Sequence, residues 1–268
     1  AISRRYRVMP RIEANGVELN YRFDGPDDAP VVVMSNSLST SLEMWDWQLS
    51  ALSDKYRMLR WDKRGHGGSA VTPPPYDLPM LVEDVRALML GLGVERAHYV
   101  GLSTGGAIGQ LFAVRYPEMV RSLVLCDTSS YVPPEVWDGR MANAREGGME
   151  AVARASMERW FTPAFRASRP EDVEIFRRMV TGTRMDGYIG CASALKQRML
   201  RPLLKTISAP TLVIVGADDP STPVEHSEII HREIAGSELV VIEGAAHISN
   251  VGQPDIFNRT LRAFLDQH

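Results

Sequence analysis

The feature that most constrains this chain is the segment from Tyr99 to Gly106, in which a serine stands at the centre of a glycine-rich turn. The segment predicts a short apolar strand, a tight turn with Ser103 at its apex, and a helix that begins at once. Glycines suit such a turn because strand and helix nearly collide, which leaves no room for Cβ atoms. The helix N-terminus also offers free N–H groups to a developing oxyanion. Ser103 is therefore a candidate nucleophile, although this short pattern is common and the rest of the chain must decide.

Strands and helices alternate on both sides of this turn. Alternation of this kind predicts a parallel sheet with helices on both faces, so the fold class is α/β. Asn15-Gly16 between alternating apolar and polar residues predicts a preceding hairpin. The predicted strands after the hairpin are residues 31–34, 56–61, 97–102, 120–126, 211–215 and 238–242.

A helical stretch interrupts this alternation. Residues 129–205 carry helical patterns at 137–145, 149–160, 173–182 and 188–199, with turn signals at Pro163 and Pro170 between them. We therefore predict a core formed by residues 9–129 and 206–268, a helical cap inserted at residues 130–205, and a loose N-terminal arm at residues 1–8.

Composition excludes several classes of partner. The 268 residues carry a formal net charge of -3 with interspersed signs, which gives no electrostatic reason to bind nucleic acid or an anionic membrane. No apolar run approaches the roughly 20 residues that span a bilayer. Cys126 and Cys191 lie in apolar surroundings without metal-ligand spacing, so we predict two reduced thiols in a cytoplasmic protein. Nothing in the sequence indicates an oligomeric state.

A serine nucleophile needs a base, and the base needs an acid that orients it. His247 follows a late apolar strand in a loop of small residues and is the best candidate for the base. His66 and the remaining histidines lie in a glycine-rich loop, within a strand, on a helix or at the terminus, where structural roles are expected. Asp218, Asp219 and Asp127 all follow apolar strands, and the pattern alone leaves the acid open among them.

The order serine, acid, histidine and two loop motifs resemble the α/β-hydrolase superfamily. The run from Gly216 to Pro223 matches that family's G-x-x-D-x-x-T-P acid loop, and the match selects Asp219. The run from Asp62 to Ser69 matches its D-x-R-G-x-G-x-S loop, a structural signature. The resemblance implies an eight-stranded, mostly parallel sheet.

Within the superfamily the chain resembles the 3-oxoadipate enol-lactonases of bacterial aromatic catabolism. Ser35 to Leu38, together with Met44 and Trp45, looks like their oxyanion loop. Four segments of the insertion are similar to their cap: residues 137–140, 147–149, 158–163 and 187–191.

The resemblance implies hydrolysis of a small ester or lactone through an acyl-enzyme, with Ser103 as nucleophile, His247 as base and Asp219 as orienting acid. The backbone N–H groups of Leu38 and Thr104 would bind the oxyanion. Neither a metal nor an organic cofactor is implied.

The cap would supply the substrate-binding groups. Position and resemblance make Arg140 the candidate cation for a substrate carboxylate, with Trp137 and Trp160 as apolar walls. A planar guanidinium suits bidentate binding of a carboxylate.

Three departures from the lactonase pattern leave the substrate open. Ser39 replaces a glycine, residues 197–200 replace an acidic segment, and Gly252 replaces a glutamate. A broad carboxylesterase, or a lactonase for another ring such as an acyl-homoserine lactone, is the main alternative. A non-catalytic small-ligand receptor of the same fold is a third hypothesis.

Overall fold

The computed structural model describes residues 10–268, so the N-terminal arm predicted at residues 1–8 lies outside the described residues. Within them the chain forms a single eight-stranded sheet, as expected from the sequence. The strands are β1 Arg11–Ala14, β2 Val17–Asp24, β3 Val31–Ser35, β4 Arg57–Trp61, β5 Ala97–Leu102, β6 Val120–Cys126, β7 Thr211–Gly216 and β8 Glu238–Ile242.

The sheet is antiparallel at one edge and parallel elsewhere. Its order is β1-β2-β4-β3-β5-β6-β7-β8, and β2 pairs antiparallel with both β1 and β4. The predicted hairpin turns at Asn15 and Gly16, which have φ values of 53° and 71°. All later pairings are parallel. The β5 strand lies at the centre of the sheet and is buried throughout.

Helices cover both faces of the sheet and fill the insertion. No helix within residues 10–268 combines the length and the apolar character needed to cross a bilayer. The α-helices are α1 Leu49–Leu52, α2 Leu78–Gly91, α3 Thr104–Arg115, α4 Pro134–Trp160, α5 Pro163–Ser168, α6 Pro170–Gly182, α7 Met185–Lys196, α8 Val224–Glu233, α9 Ser249–Gly252 and α10 Pro254–Gln267.

The segment between β6 and β7 is helical, as predicted, but its boundaries differ in two places. The first two predicted helices form the span α4, which is interrupted at Gly148 by a φ of 66° and a ψ of -173°. Pro163 and Pro170 lie at boundaries between helices, as predicted, and each also begins a helix, α5 and α6. Proline suits the first turn of a helix, where its missing N–H has no intrahelical acceptor, so the turn signals marked helix starts.

The functional candidates gather at one edge of the sheet because parallel strands end on the same side. Asn36 follows β3, Ser103 follows β5, Asp127 follows β6, Asp219 lies in the loop after β7, and His247 lies in the loop after β8. Helices α4 to α7 connect β6 to β7 above this edge, and Trp160 in α4 accepts a hydrogen bond from the Ile248 N–H beside His247.

Candidate active site

Ser103 occupies a strained turn between β5 and α3. Its φ of 55° and ψ of -109° lie outside the ordinary regions for a residue with a side chain. A Cβ at Gly105 would stand 2.0 Å from the carbonyl oxygen of Ser35, and one at Gly101 would stand 2.3 Å from that of Gly105. These contacts explain why glycine flanks the serine on both sides.

The structure brings the side chains of Ser103, His247 and Asp219 into one hydrogen-bonded chain. His247 Nε2 lies 2.9 Å from Ser103 Oγ, and His247 Nδ1 lies 2.8 Å from Asp219 Oδ2. Asp219 and His247 are both buried. Because the carboxylate accepts the Nδ1 hydrogen, Nε2 is left free to accept the proton of the serine hydroxyl.

Asp219 is held in its ionised form by its neighbours. Burial opposes the charge, but the nearby charge of His247 and the hydrogen bonds that the carboxylate accepts lower its pKa. The donors are the N–H groups of Ser221 and Thr222 at 2.8 and 3.0 Å, together with the Thr222 hydroxyl at 2.7 Å. Asp218, the neighbouring alternative, is exposed and makes no hydrogen bond to His247.

Asp127, the third acid candidate, links three loops instead of contacting His247. Its Oδ1 accepts a hydrogen bond of 2.8 Å from the Gly216 N–H, and its Oδ2 accepts one from the Ser249 hydroxyl. Burial, with a further contribution from the charge of Asp219, raises the pKa of this carboxyl well above its usual range. Asp127 therefore fixes the loops that carry Asp219 and His247 relative to each other.

Among the described residues, two backbone N–H groups next to the Ser103 pocket have no backbone acceptor. Thr104 is the first residue of α3, so its N–H has no intrahelical acceptor. The Leu38 N–H donates to no backbone group within residues 10–268, and Leu38 lines the pocket beside Ser103. These are the two donors that the sequence predicts for the oxyanion.

The loop that carries Leu38 is fixed by its buried polar neighbours. Asn36 donates to the Trp61 carbonyl at 2.8 Å and accepts from Trp45 Nε1 at 2.8 Å. The Asn36 carbonyl accepts from the Gly105 N–H at 3.1 Å, which ties this loop to the first turn of α3.

Sequence reasoning missed the role of Lys63, which lies beneath the same loop. Its ammonium group donates to the carbonyl oxygens of Asn36 and Ser37 at 3.0 and 2.8 Å. Burial lowers the pKa of Lys63 to about 8. His66, in the same glycine-rich loop, is buried against the Arg64 carbonyl and does not line the pocket.

A pocket opens above Ser103, and the three predicted cap residues Trp137, Arg140 and Trp160 all line it. The oxyanion lobe of this pocket is the part lined by Ser37, Leu38, Ser39, Ser156, Arg159, Trp160 and Tyr188. The Arg198 lobe is the part lined by Thr128, Val132, Arg198 and Thr222. Ser103, Trp137, Arg140, Ser221 and His247 border both lobes.

The pocket is cationic because three arginines line it. The sequence indicates Arg140 as the cation; Arg159, which lies in the cap-like segment 158–163, and Arg198 reach the pocket through the packing of the helical insertion. None of the three forms an ion pair with a carboxylate within the described part of the chain. Burial, reinforced by the charge of Arg159, lowers the pKa of Arg140 to about 10. The pocket therefore favours an anionic ligand.

Together these groups supply the parts needed for acyl transfer: a hydroxyl, a base, an orienting carboxylate and two free N–H donors. Within residues 10–268, no group of three or more His, Cys, Asp or Glu side chains is placed to hold a metal ion. Cys126 and Cys191 are unpaired and buried, in agreement with the predicted thiols.

The site combines a serine at a strand-to-helix turn, an acid after a later strand and a histidine after the last strand. This combination defines a class of protein, and sequence comparison identifies that class. The sequence profile of the alpha/beta hydrolase fold matches residues 30–254. The chain therefore belongs to the α/β-hydrolase family.

Within that family the chain is similar to enol-lactonases. It is 38% identical to 3-oxoadipate enol-lactonase 2 of Acinetobacter baylyi (strain ATCC 33305 / BD413 / ADP1), and the match covers 97% of each chain. The crystal structure of the enol-lactonase from Burkholderia xenovorans LB400 matches with a TM-score of 0.94 and 38% identity, covering 96% of this chain and 100% of that one. A hydrolase from Pseudomonas aeruginosa PA01 matches with a TM-score of 0.93 and 40% identity over 97% and 99% of the two chains.

Proposed function

We propose that this protein is a carboxylic-ester hydrolase that opens 3-oxoadipate enol-lactone to 3-oxoadipate through an acyl-enzyme. The hydrogen-bonded chain from Ser103 through His247 to Asp219 carries this proposal. The full-length similarity to an enol-lactonase supports the substrate.

In the first half of the reaction, His247 Nε2 accepts the hydroxyl proton as Ser103 Oγ attacks the lactone carbonyl carbon. The N–H groups of Leu38 and Thr104 stabilise the negative oxygen of the tetrahedral intermediate. Asp219 stabilises the imidazolium that forms. When the ring C–O bond breaks, His247 returns the proton to the departing enol oxygen, which stays attached to the acyl chain.

The second half repeats these roles with water as the nucleophile. His247 accepts a proton from water, which attacks the acyl carbon and forms a second tetrahedral intermediate. Collapse of this intermediate breaks the bond to Ser103 Oγ and returns the proton to the serine. Ketonisation of the enol gives the 3-oxo acid.

The arginines of the pocket explain a preference for an anionic lactone. The enol-lactone carries one carboxylate outside the ring, and Arg140 is the guanidinium that borders both lobes beside Ser103. Trp137 lies against it, with the Arg140 Cζ atom 4.7 Å from the ring centroid. A stacked guanidinium is held in one orientation and can bind a carboxylate with two parallel hydrogen bonds.

The pocket lining and the alignment of Ser103, His247 and Asp219 disfavour the three alternatives that the sequence leaves open. An acyl-homoserine lactone is uncharged, so it would bury the guanidiniums of Arg140 and Arg159 without a counter-charge. A broad carboxylesterase needs no cation in its pocket. A non-catalytic receptor does not need the alignment of Ser103, His247 and Asp219.

We also propose that residues 130–205 act as a cap on a core of residues 9–129 and 206–268. Residues Trp137, Arg140, Arg159 and Trp160 of α4 and Tyr188 of α7 reach the pocket from this segment. The two unpaired, buried cysteines support a cytoplasmic location.

Comparing kcat/KM for enol-lactone, acyl-homoserine lactones and neutral aryl esters of increasing acyl length tests the function. We expect enol-lactone to exceed the neutral substrates by at least about a hundredfold, because only its carboxylate binds the buried cations. A flat profile across the panel would support a general esterase, and a preference for acyl-homoserine lactone would overturn the proposed substrate.

A further inference from the structure

We propose that Arg198 forms a second anion subsite in the pocket, so that the enzyme also accepts lactones or esters with two carboxylates. This inference rests on the proposed function and extends it. Arg198 stands in the segment 197–200 that departs from the lactonase pattern, and it follows the end of α7 at Lys196. The first carboxylate would bind Arg140, and the second would bind Arg198.

Arg198 is buried without a counter-charge. Its side chain is only 5% exposed, and within residues 10–268 it forms no ion pair. Its Nη2 donates to the hydroxyl of Ser129, whereas its Nε is buried with no hydrogen-bond partner. A guanidinium enclosed in this way costs free energy unless an anion binds it.

The surroundings of Arg198 are those of an anion site. The Arg198 Cζ atom lies 5.9 Å from the ring centroid of Trp137, so this ring has Arg140 and Arg198 as neighbours. Trp137 Nε1 and Ser221 Oγ, from residues that border the Arg198 lobe, are also buried without partners. Three unsatisfied donors around one lobe match the oxygens of a carboxylate.

The two lobes would hold the two carboxylates on either side of Ser103. The oxyanion lobe contains Arg159 and the Arg198 lobe contains Arg198, while Arg140 borders both. The mutual repulsion of these cations contributes to the pKa of Arg198, which burial and then the charge of Arg140 lower to about 9. A lactone with one carboxylate compensates one of these charges and leaves another buried.

Four small esters separate the contributions of the two carboxylates. Ethyl butanoate carries none, ethyl succinate monoanion carries one on the acyl side, O-butanoylglycolate carries one on the alcohol side, and O-succinylglycolate carries both. The measured quantity is the ratio of kcat/KM in Arg198→Met to that in the wild type, in which leaving-group reactivity cancels. Where turnover is slow, inhibition constants against enol-lactone hydrolysis replace kcat/KM.

For Arg198→Met, we expect the ratio measured with O-succinylglycolate to be about tenfold to a hundredfold lower than the ratio measured with ethyl butanoate. One of the two monoanions should share this loss, since Arg198 lies in one lobe. An equal loss of kcat/KM for all four compounds would contradict the proposal. Arg198 would then act on a group that all four compounds share, or it would only stabilise the fold. Equal ratios near one would also contradict the proposal.

Two further variants separate the charge from the packing. Ser129→Ala removes the hydrogen bond to Arg198 Nη2 but keeps the cation, so its four ratios should be equal. Arg198→Lys keeps the charge without the planar fork and should restore most of the preference for the dianion. A wild-type protein that hydrolyses neither enol-lactone nor the esters would refute the proposed function itself. Hydrolysis of both with no effect of the second carboxylate refutes only the second subsite.

Discussion

The ammonium group of Lys63 lies 2.8 Å from the carbonyl oxygen of Ser37, directly before the residue whose N–H is proposed to bind the oxyanion. The same group donates to the Asn36 carbonyl at 3.0 Å. The Ser37 carbonyl and the Leu38 N–H belong to one planar trans peptide and point in opposite directions, so the hydrogen bond to Lys63 turns this N–H away from Lys63. Lys63 is thus a positioning residue for the oxyanion loop and also places a positive charge beneath it.

Replacing Lys63 with methionine should lower kcat about tenfold to a hundredfold and change KM little, because the loop loses both hydrogen bonds from the ammonium group and the charge beneath it. Steady-state kinetics with Lys205→Met, an exposed lysine, provide the matched control. The pH profile distinguishes a catalytic effect from a purely structural one. Burial lowers the pKa of Lys63 to about 8, so wild-type kcat should fall as the pH rises through this value. A wild-type profile without this fall, or the same fall in Lys63→Met, would contradict the assignment.

Asp127 should stabilise the protein and position its loops through the hydrogen bonds that it accepts, and less through its charge. Asp127→Ala leaves the Gly216 N–H and the Ser249 hydroxyl without an acceptor, and an unsatisfied buried group costs about 1–3 kcal/mol. Because two groups lose their acceptor, we expect the free energy of unfolding in urea to fall by about 2–6 kcal/mol and kcat to fall with it. Asp127→Asn keeps an oxygen for Gly216 and should retain most of both. Equal behaviour of the two variants would argue against this linking role.

The backbone of Ser39 is strained at a position where the sequence departs from the lactonase pattern. This serine replaces a glycine of the lactonase pattern, and its φ of 63° is one that glycine adopts freely but other residues do not. Ser39→Gly should raise the free energy of unfolding by roughly 0.5–1 kcal/mol, the left-handed penalty less the greater entropy of unfolded glycine. Thermal unfolding measures the change. A destabilised variant would show that contacts of the hydroxyl outweigh the backbone strain.

Arg140→Ala should raise KM for anionic enol-lactone about tenfold to a hundredfold and change KM for a neutral aryl ester less than about threefold. The reason is that only the lactone carries the carboxylate that the guanidinium binds. Arg178→Ala removes an exposed arginine of α6 and serves as the control. Equal effects on both substrates would remove Arg140 from the substrate site.

The parts of the fold and site that were predictable from the sequence are those fixed by local patterns. The glycines around Ser103 and the runs after β7 and β8 mark strand ends, and parallel strands bring those ends together. The choice of Asp219 over Asp218 came from the motif of a family, because two adjacent aspartates have the same local pattern. Their catalytic roles remain predictions.

What the sequence could not provide depends on long-range packing. Arg159 and Arg198 line the pocket only because α4 and the turn after α7 fold back over Ser103. Arg159 lies in the cap-like segment 158–163, but that resemblance does not show that its side chain reaches the pocket. The role of Lys63 depends on the packing of the loop after β4 beneath the loop after β3, which the sequence does not show. The sequence patterns do not predict helix α5, which is only six residues long; the Thr162 hydroxyl accepts the Phe165 N–H at 3.1 Å and caps this helix.

The central claim is that Ser103 is the nucleophile, and the hydrolysis of enol-lactone by Ser103→Ala tests it most directly. The matched control is Ser168→Ala, an exposed serine at the end of α5. We expect kcat/KM to fall by at least about 10⁴-fold in the first variant and to stay within twofold of wild type in the second, with both proteins folded by circular dichroism. Hydrolysis by folded Ser103→Ala at the wild-type rate would contradict the account.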